Sequence, residues 1–271
     1  NFNKLSDLFK TKMGQIVAIF LLFGSIYVID SYLTSRKNQL RETFGYQQVI
    51  ANFNVIQSNI AQAKIIAVPG KNDFIIVSRD HNNNVYIHQN DKPLTKVTSA
   101  NVESKLHWVT GQAIVNNNNV ELLLVGRNSS NNIFMTPNAL ADDVRWTQLK
   151  GTLDKVDMGN DGSLYGIKRT GTKTGTLMKY LPGKVADNKT WAEGNWIEID
   201  TSNVVNGLVD IDVKNDSEIW GTNSGYNVFK YYSSGGVKNW YPVNDSGKKR
   251  ISVGVDGTVW GIGSLADQRN K

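Results

Sequence analysis

The chain has 271 residues, no cysteine and a formal net charge of +6. That length fits one large all-β domain or two smaller domains, and 40% hydrophobic with 10% aromatic residues is a globular composition rather than a disordered one. The absence of cysteine excludes a disulfide framework, thiolate catalysis and a cysteine-ligated zinc site. Half of the excess charge sits in the first 44 residues, on Lys4, Lys10, Lys12, Arg36, Lys37 and Arg41 against Asp7, Asp30 and Glu42. The remainder is spread thinly, with Lys248-Lys249-Arg250 as a short basic run, so no nucleic-acid partner is expected.

In residues 1–12, Phe2, Leu5, Leu8 and Phe9 recur at helical spacing among lysines, which predicts a short helix on a membrane surface. Met13–Ile29 carries no charge, and residues 13–33, with Ile16, Phe20, Leu22 and Ile26 inside them, match a bilayer core as a single transmembrane helix. No small-x-small cleavage site follows the apolar run, which weighs against a signal peptide. A buried soluble helix would show a polar face, and residues 16–29 have none. Residues 34–45 continue as a helical stalk that stops at Gly45. Lys10 and Lys12 flank the apolar run closely and Asp30 lies on its other side, which favours a cytoplasmic N-terminus.

Residues 46–271 read as strands. Ile251–Ile262, ISVGVDGTVWGI, alternates apolar and small residues, turns at Asp256-Gly257 and returns through Val259-Trp260 to Gly261. VDMGNDGSLYGI from Val156 and DIDVKNDSEIWGT from Asp210 repeat the pattern. Aligned on Ser78, Gly126, Gly166, Gly221 and Gly261, the intervals are 48, 40, 55 and 40 residues. Each hairpin is followed by a further strand after an Asn- or Gly-rich turn. Another strand then opens the next unit, three times at a tryptophan: Trp146, Trp196 and Trp240. An all-strand repeat of about 40–50 residues is the mark of a propeller blade. The expected architecture is an all-β, five-bladed β-propeller with four-stranded blades. Its incomplete last blade would be closed by the N-terminal strand Tyr46–Val55, because exposed strand edges are a liability.

The segments VDGTVWGI, NDGSLYGI and NDSEIWGT, two of them preceded by a strand starting at Trp, resemble the tectonin repeat over roughly Leu94–Leu265. This resemblance implies a β-propeller. It also implies one of two uses, since tectonin-like proteins include the tachylectins and several are lectins with sugars between blades or on blade loops.

Catalytic signals are sparse. His81, His88 and His107 stand in no metal-ligand spacing, and no nucleotide-binding or nucleophile motif occurs, so neither cofactor nor metal is expected. Asp161 and Asp256 sit where an aspartate caps its own turn. Asp80–Asn84 alternates oxygens as a calcium loop does, without the glycine and the distant glutamate such a loop needs. Trp191, Trp196 and Trp240 are the candidate ligand-binding residues, since indole faces suit sugar rings. Packing between blades is the competing reading for Trp146, Trp196 and Trp240, while Trp191 lies off the repeat. The expected function is non-enzymatic: a membrane-anchored structural or protein-interaction module of a larger assembly, such as a virion or a membrane complex. The bilayer and protein partners are its expected contacts. The alternative is a membrane-anchored lectin with glycan partners.

Overall fold

The computed structural model describes residues 60–71, 73–89, 92–98, 105–169, 175–185, 188–234, 237–254 and 256–263. The predicted span with Ile16, Phe20, Leu22 and Ile26, the stalk and the strand Tyr46–Val55 lie outside the described residues. Among the described residues no helix is long and apolar enough to cross a membrane, and all regular structure is strand.

Eighteen strands form five antiparallel sheets, each a meander in chain order. Blade 1 holds β1 (Ile60–Ala67), β2 (Phe74–Asp80), β3 (Val85–Gln89) and β4 (Thr95–Lys96). Blade 2 holds β5 (Trp108–Asn116), β6 (Asn119–Arg127), β7 (Asn132–Thr136) and β8 (Thr147–Thr152). In blade 3 the strands are β9 (Lys155–Met158), β10 (Leu164–Lys168), β11 (Thr176–Val185) and β12 (Asn188–Ile199). Blade 4 follows with β13 (Leu208–Asn215), β14 (Glu218–Asn223), β15 (Val228–Ser234) and β16 (Val237–Pro242). The last sheet has only β17 (Lys248–Val253) and β18 (Val259–Gly263).

The fold is a β-propeller, and its blade count corrects the expectation. Four blades are complete, not five, and the fifth sheet has two strands among the described residues. The long interval before Gly221 has its own explanation. β11 and β12, of 10 and 12 residues, are the extended outer hairpin of blade 3 and hold no additional unit. The tryptophan-led strands pair with the third strand of their own sheet, so each ends its blade rather than opening the next.

One register recurs in all five sheets. Ala63 faces Ser78, Val109 faces Gly126, Val156 faces Gly166, Ile211 faces Gly221 and Ile251 faces Gly261. The second member is small because the first strand crowds it. A Cβ on Gly126 would meet the Leu106 side chain and the Trp108 carbonyl oxygen at 2.7 Å. At Gly166 the obstacles are Leu153 and the Lys155 oxygen at 2.6 Å, and at Gly221 they are Leu208 and the Asp210 oxygen at 3.0 Å. Leu106, Leu153 and Leu208 are themselves buried, each three residues before the register point of its inner strand. At Gly261 that leucine is replaced by Lys248, whose flexible stem takes its place.

Gly166→Ala should therefore cost about 1–3 kcal/mol, the usual penalty of overpacking against immobile atoms. Gly261→Ala, opposed only by the lysine stem, should cost less. Urea unfolding of the two variants measures this; an equal or reversed order would contradict the packing account.

Candidate functional site

The inner strands β1, β5, β9, β13 and β17 come together around a cavity of about 280 Å³, whose lining draws residues from all five sheets. Strand side chains alternate between faces, so the residues flanking the five register points form two rings. One ring is Gln62, Trp108, Lys155, Asp210 and Arg250; the other is Lys64, Thr110, Asp157, Asp212 and Ser252.

These rings fasten neighbouring blades. Inner strands do not pair with one another, so their outward N–H groups need acceptors. Gln62 supplies both halves of such a contact, donating to the Val109 carbonyl at 2.7 Å and accepting from its N–H at 3.1 Å. The Thr110 hydroxyl donates to Asp157 at 2.7 Å and receives the Met158 N–H at 3.4 Å. Asp157 accepts the Val213 N–H at 2.7 Å, and Asp210 accepts the Ile251 N–H at 2.9 Å. Each link runs from one blade to the next.

Lys64 crosses the channel. Its ammonium from blade 1 lies 2.9 Å from Asp157 of blade 3 and 3.0 Å from Asp212 of blade 4. Burial disfavours that charge, but the two carboxylates outweigh burial and raise Lys64 above the ordinary lysine range. Burial likewise opposes the Asp157 charge; Lys64, Thr110 and the Val213 N–H overcome it and hold the carboxyl below its usual value. At Asp212 burial wins, and with the like charge of Asp157 it pushes the carboxyl up to about 6 despite Lys64. Burial pushes Lys155 down to about 7 against the pull of Asp157 and Asp212, with Lys64 and Arg250 adding repulsion. Its ion pair with Asp210 offsets part of that loss, and its ammonium lies 4.2 Å from the Trp108 ring centroid.

The predicted ligand residues separate. Trp240 is corrected: it is 1% exposed and belongs to the core beside Tyr231, at 5.4 Å between ring centroids. Its indole also lies against Gly221, where an added Cβ would meet it at 3.4 Å. Trp146 is buried in the core shared by the first two blades. Trp196 is half-buried, and its N–H donates to the Lys150 carbonyl of blade 2 at 2.8 Å. Trp191, also half-buried, stacks on Tyr180 at 5.8 Å and 2°. Tyr180 meets Trp196 at 4.9 Å, so Trp191 and Trp196 share one aromatic cluster on the outer hairpin of blade 3.

The turns are self-contained. Asp80–Asn84, Asn128–Asn132 and Asn223–Asn227 close with the same pair of backbone bonds. Each also has the leading side chain accepting the final N–H. The Asp80 carboxylate is further occupied by the Asn84 amide and the Tyr86 hydroxyl, which leaves no calcium ligand set there. Asp161 and Asp256 accept from Ser163 and Thr258 in their own turns, as the spacing predicted. Among the described residues no group of three or more metal-ligating side chains occurs.

The channel rings escaped the sequence reading. Their signal was there, in acids alternating with apolar residues in Val156-Asp157-Met158 and in Asp210-Ile211-Asp212-Val213. Strands carrying carboxylates beside buried apolar positions need cations nearby.

No protein-family profile matches the chain, and no curated protein matches it. Solved structures do. YCF48 bound to a D1 peptide is similar at a TM-score of 0.45 and 13% identity, over 76% of this chain and 60% of that one. The six-bladed fucose-recognising lectin of Aleuria aurantia is similar at 0.44 and 13%, over 75% and 70%. A variant of that lectin in complex with Fucα1-6GlcNAc gives 0.43 and 14%, over 72% and 67%.

Removing Lys64 strands two buried carboxylates, so Lys64→Met should lower stability by about 3 kcal/mol or more. Adding Asp212→Asn should recover much of it, a coupling read from a double-mutant cycle. The penalty also depends on pH. The Asp212 carboxyl titrates near 6 in the fold against 3.8 in the open chain. The folded state therefore binds the extra proton between those values, and this group's contribution falls as pH rises through the window. Without Lys64 that upper limit moves higher, so the Lys64→Met penalty should be smaller at pH 5 than at pH 8. Urea unfolding at both pH values checks this; a penalty independent of pH would reject the shared-proton account.

Proposed function

We propose that this chain is a non-enzymatic binding module, a β-propeller tethered to a membrane that presents rigid surfaces to protein partners in a larger assembly. The observation that carries the reading is the repeated self-capped turn at Asp80–Asn84, Asn128–Asn132 and Asn223–Asn227, which fixes three loops in one conformation without a ligand. Rigid loops on a fixed scaffold are the usual site of recognition. Burial of Trp146 and Trp240 adds support, since neither ring is open to a sugar. In this reading residues 13–33 span the bilayer through Ile16, Phe20, Leu22 and Ile26, the N-terminus is cytoplasmic, and Tyr46–Val55 pairs with the edge of the two-stranded fifth sheet.

The second reading is a carbohydrate-binding module, favoured by the Tyr180–Trp191–Trp196 cluster. A half-buried indole beside a second one offers the apolar platform that sugar C–H faces require.

Detergent extracts should yield protein partners co-purifying with the chain, and a glycan array should show no binding. Array binding that Trp191→Ala abolishes would reverse the order of the two readings. Alkaline carbonate should leave the chain in the membrane, and its release would remove the anchor. Deleting residues 1–56 should cause aggregation that deleting 1–44 does not; equal solubility of the two shortened chains would reject the closing strand.

A further inference from the structure

Arginines from three sheets stand at or beside the cavity: Arg250 lines it, Arg79 is the ladder partner of the lining residue Gln62, and Arg127 is the ladder partner of the lining residue Trp108. Arg79 of blade 1 is lowered below its ordinary value by burial and by its neighbour Arg250, against the pull of Asp80. Arg127 of blade 2 is lowered by burial and then by Arg79 and Arg169, against Asp154. His107 is lowered by burial and by Arg127 and Arg79 together. Arg250 of the last sheet is exposed, 5.8 Å from the Trp108 ring centroid. The cavity's carboxylates are already engaged, Asp157 and Asp212 by Lys64 and Asp210 by Lys155. Among the described residues the Arg250 guanidinium makes no ion pair.

Two of these arginines are held in place. Arg79 donates to the Asn83 side chain at 2.6 Å and to the Asp80 carbonyl at 3.2 Å. Arg127 repeats this with Asn131 at 2.8 Å and the Asn128 carbonyl at 3.3 Å. Asn83 and Asn131 both adopt positive φ, near 65° and 63°, which asparagine tolerates well. The Nε–H groups of Arg79 and Arg127 and the indole N–H of Trp108 are buried with no acceptor among the described residues. Buried donors without acceptors call for a partner, and converging guanidinium groups suit an oxyanion.

The same cavity has an open apolar wall. Trp260 is 71% exposed and Ile262 is 65% exposed, and both line it. Ser252 and Asp210 add a hydroxyl and a carboxylate to the lining. A volume of about 280 Å³ lies at the small end of ligand sites, with room for one sugar ring but not a chain of them.

We propose that this channel mouth binds a pyranose bearing a carboxylate or a sulfate. Arg250, with the pinned Arg79 and Arg127 beside it, takes the anion, Trp260 stacks on the ring face, and Ser252 meets a ring hydroxyl. The site is separate from the Trp191 cluster and belongs to a different part of the molecule.

The test titrates the full chain with glucuronic acid, glucose 6-sulfate, glucose and inorganic sulfate, following tryptophan fluorescence and saturation-transfer NMR. The two charged sugars distinguish carboxylate from sulfate, and binding of either one supports the site. Glucose and inorganic sulfate should each bind at least tenfold more weakly than the better charged sugar. Arg250→Gln and, independently, Trp260→Ala should each weaken that sugar at least tenfold with an unchanged melting temperature. Arg250→Lys, which keeps the charge but loses the planar fork, should give an intermediate loss, while Trp191→Ala should have no effect. Glucose binding as well as the charged sugars would overturn the proposal. So would inorganic sulfate binding as well as they do, no binding of either charged sugar, or full binding by both Arg250→Gln and Trp260→Ala.

Discussion

The propeller depends on how its inner strands are joined without sharing a ladder. Each inner strand ends its sheet toward the channel and leaves N–H groups that no neighbouring strand can reach. A buried N–H without an acceptor costs about as much as a lost hydrogen bond. The chain meets this with one side chain per junction: Gln62 to Val109, Thr110 to Met158, Asp157 to Val213 and Asp210 to Ile251. The fasteners flank the register points, Gln62 and Asp210 one residue before theirs and Thr110 and Asp157 one residue after theirs. The repeat therefore offers two positions for an acceptor, and each junction fills one of them with an amide, a hydroxyl or a carboxylate.

Choosing carboxylates for two of the four junctions has an electrostatic consequence. Asp157 and Asp210 accept backbone N–H groups, yet their charges are buried and require cations. Lys155 pairs with Asp210, and Lys64 reaches across the channel to Asp157 and Asp212. Blade 1 is thereby tied to blades 3 and 4, which are not its neighbours in sequence. The same demand explains the opposed behaviour of the two aspartates. Asp157 holds Lys64, Thr110 and a backbone N–H, whereas Asp212 holds Lys64 against burial and a like charge, and its side-chain hydrogen bond with Asp157 favours the protonated form. Among the described residues Arg250 is a ring cation without a carboxylate of its own, so its end of the channel is where an external anion fits the charge pattern.

The strand order and turns were legible in the sequence for local reasons. Alternation with period two, an Asp- or Asn-led turn and a small residue at the crowded second strand are properties of single hairpins. Gly126, Gly166, Gly221 and Gly261 could thus be aligned before any fold was known, and all four fall at one register point. Asp161 and Asp256 were read as turn caps on the same basis, and their bonds to Ser163 and Thr258 are local. The tryptophans were harder, because a large ring at a recurring strand position looks the same whether it fills a core or faces a ligand. Trp240 fills a core, and Trp191 and Trp196 meet through Tyr180 on one long hairpin.

By itself, then, the sequence read residues 46–271 as repeated antiparallel hairpins, located their turns, and aligned the residue that closes each one. Tertiary structure decided the rest. It set four complete blades and a two-stranded fifth sheet, because a blade's completion depends on which strands remain within reach of its edge. It also brought Lys64, Asp157 and Asp212 together from positions 93 and 148 residues apart along the chain. No local pattern encodes that meeting. It follows from closing the inner strands around one channel, where the cost of burying charge selects the partners.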